Sequence, residues 1–257
     1  MIHREEPNVD SGFYAACAGL RAQSLALEVS AHNLANLNTT GFRGQQTDFQ
    51  SMLAKSRPTV PNLLNLATNN FSVLEGTHLD LTAGNLQPTG NPLDVAIEGG
   101  GFFAVYTPNG VRYTRNGSFQ VSSTGQLVTS SGDLVLGDPA LKDKGGINVP
   151  AGAASIASDG TLSVNGAVAG SIQLFEFAPG TMLDSEGGSL LAAPAGSGQP
   201  AQKSMLKQGA LESSNVNPIS AVVTLIGVQR EAEMLQRAMS LFDTEFNRIA
   251  TSDLPKV

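Results

Sequence analysis

The sequence predicts a multi-domain α+β protein. N- and C-terminal coiled-coil helices are expected to pair into one helical domain, with a central, mainly antiparallel β domain. Three observations lead there. Apolar residues near both ends recur at the alternating four- and three-residue steps of a coiled-coil seam. The middle breaks into short apolar runs separated by glycine-containing turn dipeptides. The 257 residues exceed the usual size of a single core, and 28 Gly, 13 Pro and 5% aromatics suit a turn-rich β region joined to something different.

The first helix is expected over residues 13–37, a stretch without Pro and with Gly19 as its one glycine. Phe13, Cys17, Leu20, Leu27, Ala31 and Leu34 lie on the seam, with Ser24 in the remaining slot. Asp10 or Ser11 suits the cap, and Asn38-Thr39-Thr40-Gly41 supplies the stop, with Gly41 available for a left-handed backbone. Between residues 13 and 37 the charged side chains are Arg21 and Glu28. The rest of the non-seam surface is small and weakly polar, which suits packing on several sides better than a solvated face.

The last helix repeats the design. Ala221, Leu225, Val228, Ala232, Leu235, Met239, Phe242, Phe246 and Ile249 follow the same steps. Asn217-Pro218 marks the start, because Asn caps well and Pro fits the first helical turn. Glu233 and Arg237 stand four apart in the favourable order, and Asp253-Leu254-Pro255 ends the element.

Short strands are expected at 94–97, 102–106, 112–115, 119–121, 127–129, 134–136 and 172–177. Turns are expected at Asn109-Gly110, Asn116-Gly117, Thr124-Gly125, Ser131-Gly132, Asp159-Gly160 and Asn165-Gly166. Leu190 to Gln202, rich in Ala, Gly and Pro, reads as a loop, and residues 43–90 carry no firm element. The organisation is therefore a tail and coiled-coil helix over 1–42 and a connecting segment over 43–90. A central β domain over 91–205 follows, then a connecting strand and coiled-coil helix over 206–257 that packs with 13–37.

Composition excludes several functions. A net charge of −7, with no cluster of Lys and Arg, is a poor match to nucleic acid. No apolar run approaches the length of a membrane span. One cysteine, Cys17, permits no intrachain disulfide, and on the seam it reads as a small buried residue. The start of the chain does not read as a secretory signal, so work outside the cytoplasm implies another route. His3, His32 and His78 are too scattered for a metal site. Gly99-Gly100-Gly101 lacks the spacing of a phosphate loop and reads as a turn with close backbone approach. There is no nucleophile elbow and no paired-histidine zinc motif. No catalytic residue, cofactor or metal is assigned, and the chain is read as a non-enzyme.

Four blocks carry a family resemblance. The first is Leu20-Arg21-Ala22-Gln23 with Asn33-Leu34-Ala35-Asn36-Leu37-Asn38-Thr39-Thr40-Gly41-Phe42-Arg43. The second is Gly90-Asn91-Pro92-Leu93-Asp94-Val95-Ala96-Ile97-Glu98-Gly99-Gly100-Gly101-Phe102-Phe103. The third is Tyr113-Thr114-Arg115-Asn116-Gly117-Ser118-Phe119, followed by Gly125-Gln126-Leu127-Val128-Thr129. The fourth is Leu211-Glu212-Ser213-Ser214-Asn215-Val216-Asn217-Pro218, leading into Gln229-Arg230. Together they closely resemble the flagellar rod and hook proteins of bacteria.

The resemblance implies an axial structural subunit of the basal-body rod, crossing the periplasm. Terminal helices would form an inner tube, with the β domain outside, and copies would stack helically around an export channel and pass torque from motor to hook. Implied partners are other copies, other rod proteins and the flagellar type III export apparatus. The compact segment between Arg43 and Pro92, and the run Asn91-Pro92-Leu93-Asp94-Val95-Ala96-Ile97, resemble the proximal rod class first, the distal rod next and the larger hook subunit less. A β-domain adhesin on a helical stalk is the competing reading, and it would call for a secretion signal and anchor that the sequence does not show.

The residues expected at the assembly interface are Phe13, Leu20, Leu27, Ala31, Asn33, Leu34 and Asn36 on the first helix and its exit, and Leu225, Val228, Ala232, Leu235, Met239, Phe242 and Phe246 on the last. The asparagines also suit helix-end and turn chemistry. Residues 1–10 extend upstream of where the resemblance begins and are expected to be a dispensable tail.

Overall fold

The computed structural model describes residues 9–51, 72–137 and 146–252; the N-terminal tail lies outside these except for its last two residues. The chain divides into two compact units, each considered by itself. One holds α1 (Val9–Ala35), α2 (Pro218–Ser252) and most of a two-stranded pair, β1 (Gln45–Ser51) with β2 (Ser72–Leu79). The other comprises residues 35–44 and 78–217 and is built of β structure. The architecture is α+β, with antiparallel strand pairing throughout the second unit.

In the β unit, β3 (Leu86–Pro88), β4 (Val95–Glu98), β5 (Phe102–Thr107), β6 (Gly110–Thr114), β7 (Phe119–Val121), β8 (Leu127–Thr129) and β9 (Leu134–Val135) come first. Then follow β10 (Ala154–Ile156), β11 (Thr161–Val164), β12 (Ala167–Ser171), β13 (Leu174–Phe177) and β14 (Asp184–Ser185). The last are β15 (Leu190–Ala192), β16 (Gly198–Pro200), β17 (Met205–Gln208) and β18 (Ala210–Glu212). The main sheet runs β14-β15-β6-β5-β9-β8-β7, with β13 joining β5 and β16. A second sheet is β10-β11-β12, and β17 pairs β4 while β18 pairs β3.

Period-two alternation positions the core. Phe103 and Val105 of β5 point into a buried cluster with Val95, Phe119, Leu127, Leu162 and Ile172. Phe103 meets Phe119 edge-on at 4.9 Å. Phe102, on the opposite face, packs against Phe177, which in turn meets Tyr113.

Turn chemistry explains the connections. Asn165 and Gly166 both take positive φ, +51° and +83°, and close the β11–β12 hairpin. Gly117 is a glycine for another reason: a Cβ there would lie 1.7 Å from the Val95 carbonyl oxygen. Gly117→Ala must therefore push backbone apart, and it should destabilise the protein by about 1–3 kcal/mol. Gly100→Ala, where a Cβ meets nothing within 4 Å, is the matched control. Urea denaturation of both variants checks this; equal midpoints would show that the 116–118 loop yields freely.

Two expectations require correction. Leu190 to Gln202 is not a loop, since β15 and β16 lie in it. Its Ala, Gly and Pro content hides strands stabilised from outside. Leu191 is buried on β6, and Gly198 sits where a Cβ would be 2.8 Å from the Tyr113 hydroxyl. The 43–90 stretch, to which no element was assigned, contains β1, β2 and β3 among its described residues. Among the described residues, no helix is long and apolar enough to cross a membrane.

Candidate functional site

Three distant stretches of chain meet at one buried junction inside the β unit. The exit from α1 turns sharply: Thr39 donates through its hydroxyl to the Asn36 side chain at 3.0 Å, and the Phe42 amide donates to the Thr39 carbonyl at 3.3 Å. Gly41 has φ +67°, the left-handed conformation expected from its sequence context. Its amide donates to the Glu212 carbonyl at 2.8 Å, and a Cβ on it would lie 2.3 Å from the backbone of Arg115 and Asn116. Phe42 beyond it is buried.

The Glu212 carboxylate is the centre. It accepts from Arg43 Nη2 at 2.7 Å and from the Gly84 amide at 2.7 Å through Oε1, and from Arg115 Nη1 at 3.2 Å through Oε2. The side chains of Arg43 and Glu212 are each 1% exposed and that of Arg115 3%. Arg115 also donates to the Gly99 carbonyl at 2.7 Å and lies 4.9 Å above the Phe102 ring. Burial pulls the Arg115 guanidinium down to a pKa of about 10; Glu212 opposes the shift and the neighbouring Arg43 charge adds to it.

Arg43 Nε and Nη1 and Arg115 Nε are buried with no hydrogen-bond partner. Two guanidiniums thus depend on one carboxylate for close pairing, and Glu212 is the residue that neither could lose without a heavy cost. Asn215 fastens the next layer, accepting from the Gly44 amide at 2.8 Å and donating to the Asp80 carbonyl at 2.8 Å. Thr40 completes it by donating to the Asn116 side chain at 2.8 Å.

The helices provide the second set of candidate residues. On α2, Ala221, Leu225, Val228, Ala232, Leu235 and Met239 are half-buried and form one stripe. The side chains of Phe13, Phe242 and Phe246 lie outside the described ones. On α1, Leu20, Leu27 and Leu34 are half-buried and Ala31 is exposed. Among the described side chains of α1, Ala22, Ala26, Val29 and Ser30 are buried, a face the apolar count did not single out. Gln23 donates to Glu231, a hydrogen bond between the two helices. Asn33 makes a reciprocal pair with the Gln45 backbone, donating at 2.7 Å and accepting at 2.9 Å, while the Asn36 side chain serves the Thr39 turn. Both asparagines are thus engaged within the chain.

The charged residues of the junction stood inside the blocks read from sequence, but their pairing was not legible there. Arg43 and Glu212 are 169 positions apart, and no local pattern links them. The available signal was that Arg43, Arg115 and Glu212 each stand inside one of the blocks.

Comparison with known proteins covers both sets of residues. Residues 13–43 match the model of the flagella basal body rod protein, residues 96–164 that of the flagellar hook protein FlgE/F/G D1 domain, and residues 207–251 that of the flagellar basal body rod FlgEFG protein C-terminal region. The chain is 32% identical over 258 residues to the flagellar basal-body rod protein FlgG of Buchnera aphidicola subsp. Acyrthosiphon pisum, covering 90% of this chain and 95% of that protein. It is 34% identical over 232 residues to FlgF of Mesorhizobium japonicum, covering 88% and 90%. With FlgF of Caulobacter vibrioides it shares 30% identity over 253 residues, covering 97% and 100%.

Proposed function

The chain belongs to the family of flagellar basal-body rod proteins, and from that premise we propose that it is a non-catalytic subunit that polymerises helically around the export channel and carries torque from motor to hook. Its place is the rod of the basal body. The observation that supports polymerisation is on α2. Ile219, Val223, Ile226, Met234 and Leu241 are 78%, 65%, 45%, 61% and 67% exposed. At 100° per residue these five fall on one side of the helix, opposite the half-buried stripe of Leu225, Val228 and Leu235.

A helix apolar on two opposite sides has one side too many for a single chain. Each large side chain covered by a neighbour contributes about 1.5–3 kcal/mol, enough to order long helices that are marginal alone. A contact between unlike faces does not close on itself and propagates as an open helix. The coiled-coil pairing of residues 13–37 with 206–257 belongs to the same reading. So does delivery of the unfolded chain by the type III export apparatus, with other rod proteins as neighbours. Assignment to the proximal rather than the distal rod rests on the short segment between Arg43 and Pro92 and on the run from Asn91 to Ile97. Cryo-electron microscopy of purified basal bodies, with this chain tagged, is expected to find it in the rod; tagged chain absent from the rod of motile cells would reject the reading.

A further inference from the structure

We infer that the outward stripe of α2 receives the outward face of α1 from a second copy, with the Glu28 carboxylate set against an α2 guanidinium, Arg230 or Arg237. The inference rests on the polymerisation proposed above and names the surfaces and the charges that set their register.

The α1 face is defined by exposure. Arg21, Ser24, Glu28, Ala31 and Ala35 are exposed at steps of three, four, three and four, opposite the buried Ala22, Ala26 and Val29. Three of the five are small, so the face is shallow, and its charges, Arg21 and Glu28, stand one heptad apart. The α2 stripe has the complementary relief. Between its large apolar residues it carries the exposed Arg230 and Arg237, also one heptad apart. Two cations stand in this stripe against one neighbouring carboxylate, the exposed Glu233, so covering it leaves a net positive charge that an anion on the covering surface would balance. Glu28 is the carboxylate that α1 offers on its outward face.

The occupant comes from a different copy because the chain's own α1, hydrogen-bonded to α2 through Gln23 and Glu231, leaves both faces exposed. Equal heptad spacing then eliminates two of four registers. With parallel helices, Glu28 on Arg237 would place Arg21 on Arg230. With antiparallel helices, Glu28 on Arg230 would place Arg21 on Arg237. Like charges directly opposed exclude both. What remains is Glu28 with Arg230 in parallel, or Glu28 with Arg237 in antiparallel packing. In the antiparallel register Ala31 comes level with Met234, small against large; in the parallel one it comes level with Glu233.

The test is charge reversal in the full chain, read as the amount of subunit incorporated into purified basal bodies. Thermal unfolding of each purified variant confirms an intact β unit. Glu28→Arg alone should lower incorporation about tenfold or more. Adding either Arg230→Glu or Arg237→Glu, but not the other, should recover most of it, and the one that does so assigns the helix direction. A second measurement pairs Ala31→Cys with Met234→Cys, level in the antiparallel register, or with Glu233→Cys, level in the parallel one, each in a Cys17→Ser background; mild oxidation of assembled rods should give intersubunit disulfides with one of the two. Normal incorporation of Glu28→Arg, or failure of both double reversals to exceed the singles together with no cross-link, would overturn the pairing. In that case wild-type chain still found in the rod would leave the subunit reading standing, whereas its absence would remove both.

Discussion

Glu212→Gln is expected to destabilise the β unit by about 3–5 kcal/mol, the cost of breaking a buried ion pair by removing one partner. The substitution keeps the shape and one acceptor oxygen but leaves the Arg43 and Arg115 guanidiniums facing each other in a site where all three side chains are 3% exposed or less. Burial already holds the Arg115 pKa down to about 10, and the Glu212 charge that opposes this shift is the one removed. The loss should also be local at first. Residues 36–44 and 82–86 are tied to Glu212 through Gly41 and Gly84, so their amides should exchange faster, while β7 and β8 keep their protection. Urea denaturation followed by circular dichroism, with hydrogen exchange by mass spectrometry, reads both parts. A loss under about 1 kcal/mol would place the trio with solvent-screened surface pairs and remove it as the anchor of the junction.

Leu235→Asp, or separately Leu27→Asp, should abolish rod assembly and motility while leaving the β unit folded. Both leucines are half-buried in the single chain and remain available for further burial. A carboxylate placed on either would be covered without a counter-charge once copies pack, at a cost of several kcal/mol per copy. The penalty recurs at every subunit along the rod, so even a modest cost per copy should suffice. Swimming assays and images of basal bodies from each mutant decide it. Normal rods with either substitution would show that the four-three stripes are not buried on assembly.

What the sequence made legible was set by how local the stabilising interactions are. β7 and β8 are found over the residues expected, because a Gly125 turn and short apolar runs specify that hairpin within about ten residues. β15 and β16 were missed because their stability comes from docking on β6 and β13, not from their own composition. The β11–β12 hairpin was legible as its turn, Asn165-Gly166, and not as strands, since Thr161–Val164 and Ala167–Ser171 are too short and too small to stand out. The α1 packing face was missed because counting large apolar residues gives Ala22 and Ala26 little weight, although alanine allows the closest approach.

The strand pair that closes the junction has a consequence for engineering. The Thr89 amide donates to the Gly209 carbonyl at 2.8 Å, and β3 runs antiparallel to β18 through Ala210↔Pro88. Residues 91–208 therefore leave and rejoin their host at a single point, as an inserted module does. Exchanging that module for another fold with adjoining termini, cut between Gly90 and Gly209, would replace most of the β unit while keeping the host's Arg43 and Glu212 in place. Arg115 would travel with the excised piece, so a successful graft must bring its own cation to Glu212.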